Sequence, residues 1–181
     1  ERKLKMIESF NNKIEIANSR VNLGNAYMAM QDFDTALKHY QAGLKLAEEL
    51  NNPRINGFCL NAMGMINKHK KEYKIAIKYL NDALVEAEIA KDVSLIGYIK
   101  NNLSLLYLTE KEYEKSKALN DEVLSIAKKT KNKKLESEGH QYKAAIYSEK
   151  DDYKKALQSY IDHKKISDSL AGDEKNKQIA K

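Results

Sequence analysis

Apolar residues along the chain fall into paired stripes of helical spacing, each pair parted by a short polar break. In the first pair, Ile16, Leu23, Ala26, Tyr27 and Met30 sit at helical offsets. After Gln31-Asp32 come Phe33, Ala36, Leu37, Tyr40, Leu44 and Ala47, again at i, i+3, i+4 and i+7. The pattern then returns every forty residues. Gly24, Gly64, Ser104 and Ala144 share one phase, and Tyr27, Asn67, Tyr107 and Tyr147 another. The pairs Asp32-Phe33, Glu72-Tyr73, Glu112-Tyr113 and Asp152-Tyr153 keep the step. So do Ala36, Ala76, Ser116 and Ala156, and Ala47, Ala87, Ala127 and Ser167. A period of about 20 to 50 residues marks a solenoid, whose units bury their apolar faces only against their neighbours. No alternating run is long enough for a strand. The spacing predicts an all-α chain of antiparallel hairpins, with one helix A and one helix B per repeat.

The breaks carry turn and cap chemistry. Gln31-Asp32, Lys71-Glu72, Lys111-Glu112 and Asp151-Asp152 each precede an aromatic that opens helix B. The joints between repeats are Asn51-Asn52-Pro53, Lys91-Asp92, Lys131-Asn132 and Ala171-Gly172-Asp173; Pro53, the only proline, suits a first helical turn. These joints bound four repeats, 13–52, 53–92, 93–132 and 133–172. By the same phase, residues 1–12 read as the remnant of a preceding helix B, with Leu4, Ile7 and Phe10 as its apolar face, and 173–181 as the start of a following helix. The chain therefore reads as a piece of a longer one. Gly24 and Gly64 lie mid-helix, where glycine costs about 1 kcal/mol against alanine. That cost predicts the close approach of another backbone.

At these residues the chain resembles the tetratricopeptide repeat family. Its motif asks for Leu-Gly, a Tyr three residues on, an Ala early in helix B and an aromatic four later. The matches are Leu23-Gly24-Tyr27-Ala36-Tyr40, Met63-Gly64-Ala76, Leu103-Ser104-Tyr107-Ser116 and Ala144-Tyr147-Ala156-Tyr160, while Asn67, Leu80 and Asn120 depart from it. The family's usual period is shorter; the longer step resembles the subgroup found in spindle-orientation adaptors and bacterial quorum-sensing peptide receptors. The resemblance implies a right-handed superhelical solenoid with a concave groove for a peptide or protein segment. It places that groove at Asn18, Val21, Asn22 and Asn25, then Phe58, Asn61, Ala62 and Met65. Tyr98, Asn101, Asn102 and Leu105 follow, and then Glu138, Gln141, Tyr142 and Ala145. A row of amides, each both donor and acceptor, can grip an extended backbone without reading its sequence. Phe58, Met65 and Tyr98 offer apolar pockets. The same residues would also suit solvated helix faces in an Asn- and Lys-rich chain. The family's clamp for a C-terminal carboxylate needs Lys or Arg where Val21, Asn61, Tyr98 and Asn102 stand, which disfavours chaperone-tail binding.

Charge and chemistry narrow the reading further. The formal charge of +6 belongs to the later repeats, because residues 1–52 hold seven basic and seven acidic side chains. Lys128, Lys129, Lys131, Lys133 and Lys134 crowd one joint, where a helix C-terminus favours cations; an acidic partner or anionic lipid is the functional alternative. With Arg2, Arg20 and Arg54 the only arginines and no recognition motif present, no nucleic-acid partner is expected. Cys59 stands alone, which excludes an internal disulfide and a Cys-based zinc site and leaves the compartment open. His39, His69, His140 and His163 lie in different repeat phases without metal-ligand spacing. There is no phosphate loop, and Glu136, Glu138 and Glu149 on one helix read as a solvated or groove-lining face rather than paired catalytic acids. No enzyme activity, cofactor, metal or membrane contact is expected of this stretch.

Towards the C-terminus, Tyr160, His163-Lys164-Lys165, Ser167-Asp168-Ser169-Leu170, Glu174 and Lys177-Gln178-Ile179-Ala180 form an ordered string. It resembles the end of the repeat array in Bacteroidetes-type sensor proteins. There a long helix leads to a membrane span and a histidine kinase, or to a DNA-binding output domain. The expected function is a protein- or peptide-binding module, the sensory domain of a larger two-component signalling protein, cytoplasmic or on the periplasmic side of a membrane-anchored sensor. The alternative is a free-standing adaptor or a dimerisation scaffold, self-associating through exposed repeat ends or the final helix.

Overall fold

A computed structural model describes the backbone of residues 2–179 and the side chains of Ser9, residues 12–173 and Lys175. Among the described residues there are eight α-helices and no strand. They are α1 (Arg2–Ala29), α2 (Phe33–Glu49), α3 (Pro53–His69), α4 (Tyr73–Ile89), α5 (Val93–Thr109), α6 (Tyr113–Thr130), α7 (Lys133–Glu149) and α8 (Tyr153–Ile179). The chain is all-α, as the spacing predicts, and each helix B opens at its aromatic. Contacts divide the chain into two units, residues 1–95 and 96–181. In the first, α1 packs on α2, α2 on α3 and α3 on α4, and α1 also touches α3. In the second, α6 packs on α7 and α7 on α8.

Every joint closes in the same way. Gln31, Asn51, Lys71, Lys91, Lys111, Lys131 and Asp151, twenty residues apart, all take left-handed backbone with φ between 48° and 62°. The next amide then reaches back five residues: Asp32 N–H donates to the Tyr27 carbonyl at 2.9 Å, Glu112 to Tyr107 at 2.8 Å and Asn132 to Ala127 at 2.9 Å. This closure satisfies carbonyls that a helix end leaves orphaned, and glycine is its usual left-handed residue. None of these seven is glycine, and an L side chain there costs about 1–2 kcal/mol. Five of the following residues cap the next helix. Asp32, Asn52, Asp92, Asn132 and Asp152 each accept, through Oδ1, the amide three residues on at 3.0–3.2 Å. Glu72 and Glu112 hold the same place but make no cap bond, since one extra methylene carries the carboxylate past the amide.

The ends depart from the repeat phase. α1 runs unbroken across Asn11-Asn12, and α8 across Ala171-Gly172-Asp173. At the second of these, Gly172 stands where Asn52, Asp92 and Asn132 cap, and it has no side chain to do so. Asn11-Asn12 repeats the Asn51-Asn52 pair, and nothing in the structure explains the continuity there. The side chains of Leu4, Ile7 and Phe10, and Ala180 of the C-terminal string, lie outside the described residues.

Small residues meet large ones across the first two hairpins. A Cβ on Gly24 would stand 2.6 Å from Cε1 of Tyr40, and one on Gly64 2.9 Å from Cγ of Leu80. At Gly24 the close neighbour is a helix B side chain, whereas at Gly64 the Ala76 backbone carbonyl also comes within 3.3 Å, the close approach that a mid-helix glycine predicts. In the third repeat the same two phases hold Ser104 and Asn120, and both are buried. Ser104 and Ser116 clasp each other: Ser104 Oγ donates to the Ser116 carbonyl at 3.0 Å and Ser116 Oγ to that of Ser104 at 2.8 Å. In the fourth repeat the same two phases hold Ala144 and Tyr160, and Tyr160 is 55% exposed. Tyr40, Met63 and Ile66 continue the first unit's core, and Val123, Ala127 and Leu135 that of the second. Each large side chain buried this way contributes roughly 1.5–3 kcal/mol. Asn67, in a tyrosine phase, turns its NH2 back to the Met63 carbonyl of its own helix at 2.8 Å.

Candidate functional site

α1 and α3 lie side by side in the first unit and leave a cleft of about 430 Å³ between them. Asn18, Asn22 and Asn25 fall at i, i+4 and i+7 on α1 and so share one face of that helix. Arg54 and Phe58, one turn apart near the start of α3, form the opposite wall with Asn52, while Ile14, Val21 and Ile55 supply apolar lining.

Internal bonds fix the polar groups. Tyr40 is buried behind α1, and its hydroxyl donates to Oδ1 of Asn25 at 2.7 Å. Burial, and then the neighbouring Cys59, push the Tyr40 phenol up to about 12, so it remains a donor at neutral pH. Asn52 Oδ1 accepts the Ile55 amide at 3.1 Å as the cap of α3. Arg54 donates through Nε to Oδ2 of Asp92 at 2.8 Å, and its guanidinium carbon lies 5.7 Å from the Phe58 ring centre. Asp92 is held in turn, its Oδ1 accepting the Leu95 amide at 3.0 Å. Cys59, beneath Phe58 on α3, is fully buried, and burial raises its thiol to about 12. It is a packing residue, chemically quiet.

The groove positions expected from sequence therefore separate. Asn18, Asn22, Asn25 and Phe58 line one cleft, with Val21. Asn61, Ala62 and Met65 are half-buried further along α3, outside it. In the second unit Asn101 is 2% exposed and donates to Oε2 of Glu138 at 2.8 Å, tying α5 to α7 instead of facing solvent. Burial raises the Glu138 carboxyl against the pull of Lys134 and Asn101. Tyr98 accepts from Nδ2 of Asn132 at 2.9 Å. Tyr142 is pushed up to about 12 by burial and then by Glu138. Asn102 and Leu105 are half-buried, and Gln141 is exposed. Sequence reasoning missed Asn52 and Arg54, although Arg54 stands one helical turn before Phe58 on the same face. Among the described residues no His, Cys, Asp and Glu group is arranged to hold a metal, and no helix is long and apolar enough to cross a membrane.

Residues 15–84 match the tetratricopeptide repeat family, a stretch that holds the cleft-lining positions from Asn18 to Phe58. No curated protein sequence matches the chain. Among solved structures, BtubC (BKLC) from P. vanneervenii is 20% identical with a TM-score of 0.74, the likeness covering 86% of this chain and 65% of that one. A signal transduction ATPase with numerous domains from Pyrococcus horikoshii, described as having a tetratricopeptide repeat sensor, is 18% identical with a TM-score of 0.74. There 90% of this chain is covered, and 25% of the other. Aspartyl phosphate phosphatase F from Bacillus subtilis is 13% identical with a TM-score of 0.65, over 86% and 50% of the two chains. At these identities the likeness concerns the fold alone. This chain spans less than two thirds of each of those proteins.

Proposed function

We propose that the chain captures an extended peptide or protein segment in the cleft between α1 and α3. The observation that carries this reading is the convergence of Asn18, Asn22, Asn25 and Phe58 on one apolar-lined cleft. Side-chain amides along a helix face meet the alternating carbonyls and amides of an extended backbone, and Phe58 gives a side chain somewhere to rest. A larger bacterial signalling protein is the setting we favour. The tetratricopeptide repeat sensor of the Pyrococcus horikoshii protein supports it, as does the resemblance of the C-terminal string to sensor proteins.

Titrating the isotope-labelled chain with a degenerate decapeptide mixture tests the capture reading. The side-chain amide signals of Asn18, Asn22 and Asn25 should move, and Asn22→Ala together with Phe58→Ala should abolish the effect. Movement confined to other helices would overturn it. The signalling setting falls if the gene continues past Lys181 with further repeats and then stops, with no output domain.

A second reading, self-association through α8, is favoured by one observation: Tyr153, Leu157, Tyr160 and Ile161 are all at least half exposed on that helix. Sedimentation of the chain at high concentration decides it, since a strict monomer excludes it.

A further inference from the structure

The internal hydrogen bonds of the cleft are one-sided. Asn25 spends its carbonyl oxygen on the Tyr40 hydroxyl, and Asn52 spends its own on the Ile55 amide. Each is left with its NH2 group as the end available to a ligand. Arg54 spends only Nε, on Asp92, and keeps both terminal nitrogens. The Arg54 side chain is 67% exposed and Asp92 only 15%, so the cation faces the cleft mouth while its counter-charge lies behind. Arg54 is the one charged residue among those lining the cleft. Donors and positive charge are thus collected beside Ile14, Val21 and Ile55, and no lining carboxylate opposes them.

From this we infer that the cleft selects a segment bearing an internal Asp or Glu next to an apolar residue. The carboxylate would meet the terminal nitrogens of Arg54 in a two-pronged pair, with the Asn52 amide alongside. The apolar neighbour would rest on Phe58 and Ile55, and the Asn18 and Asn22 amides would hold the backbone. The inference rests on the capture reading above and adds the chemistry that is read. Arg54 lies outside the positions at which the family's resemblance places a carboxylate clamp. Asp92 holds the guanidinium through Nε at 2.8 Å.

The test is selection of a random dodecapeptide phage library on the full chain, followed by anisotropy titrations of the enriched peptides as C-terminally amidated synthetics. The expected pool is enriched in Asp or Glu beside an aliphatic or aromatic residue, and its affinity falls as salt rises. Arg54→Gln should weaken such peptides about tenfold or more, the loss expected for a charged hydrogen bond. Arg54→Glu should recover binding when the peptide's acidic residue is changed to Lys. A pool without acidic enrichment, or peptides that Arg54→Gln binds equally well, would overturn the inference. If Asn22→Ala and Phe58→Ala then still abolish binding, capture in the cleft survives and only the acidic preference is lost. Peptides that bind solely with a free C-terminus would assign the carboxylate to a chain end and overturn the internal-residue claim. A library that enriches nothing overturns both readings.

Discussion

Gly24→Ala tests how the scaffold is coupled to the cleft. The new Cβ would stand 2.6, 2.8 and 2.9 Å from Cε1, Cζ and Cδ1 of Tyr40. Carbon atoms prefer about 3.5–4 Å, so the ring must retreat by roughly 0.9 Å or more. It has little room, being 1% exposed with its hydroxyl bonded to Asn25 at 2.7 Å. Overpacking of this kind costs about 1–3 kcal/mol, and a lost Tyr40–Asn25 bond about 1 kcal/mol more. Replacing a mid-helix glycine returns about 1 kcal/mol. The net expectation is a loss of about 1–3 kcal/mol, read as a melting temperature lower by roughly 2–12 °C in far-UV circular dichroism. The Asn25 side-chain amide signal should shift as well, because its anchor moves. In a Tyr40→Asn background, which places at 40 the residue type that Asn120 supplies in the same repeat phase, the same change should become neutral or stabilising. A Gly24→Ala protein melting at or above the parent would refute the reasoning, since helix propensity alone would then govern the site.

Three further outcomes follow from the joints and the second unit. Glu112→Asp shortens the residue that fails to cap α6, and should raise stability by about 0.5–1 kcal/mol in urea titrations. Lys111→Gly removes a left-handed L residue whose φ is 62°, and should stabilise by roughly 1 kcal/mol, whereas Lys111→Val should destabilise. His140 has its pKa lowered chiefly by burial, with Lys143 and Lys128 adding to this and Asp162 and Glu136 opposing it. The unfolded chain therefore takes up the proton first. Stability should be lost as pH falls through the ordinary histidine value of 6.5, the loss being complete below the folded value. His140→Gln should flatten the dependence of melting temperature on pH across that window.

The forty-residue step was legible because burial repeats with it: the glycine, alanine and aromatic phases all answer to helix packing. The closing turns were not. Lys71, Lys91, Lys111 and Lys131 adopt positive φ with nothing in a lysine to announce it; the conformation is set by the two helices that each turn must join. Asn101 was read as a groove amide because its phase matches Asn61. Its burial follows instead from Glu138, which stands thirty-seven residues on and offers a carboxylate within 2.8 Å. The α1 face of the cleft was legible from helical spacing, since Asn18, Asn22 and Asn25 need only one helix to converge. Arg54 was not, because its role depends on Asp92, thirty-eight residues away.

The left-handed joints bear on how such a chain changes over time. A turn closed by backbone bonds alone accepts Gln, Asn, Lys or Asp at its bent residue. A duplicated hairpin can therefore be inserted after any joint without a matching change in turn chemistry. The same tolerance leaves stability in reserve. With distant sites adding independently, glycine at all seven bends would release on the order of 7 kcal/mol. Lineages lengthening or shortening the array could draw on that reserve while residues in the cleft drift toward a new ligand.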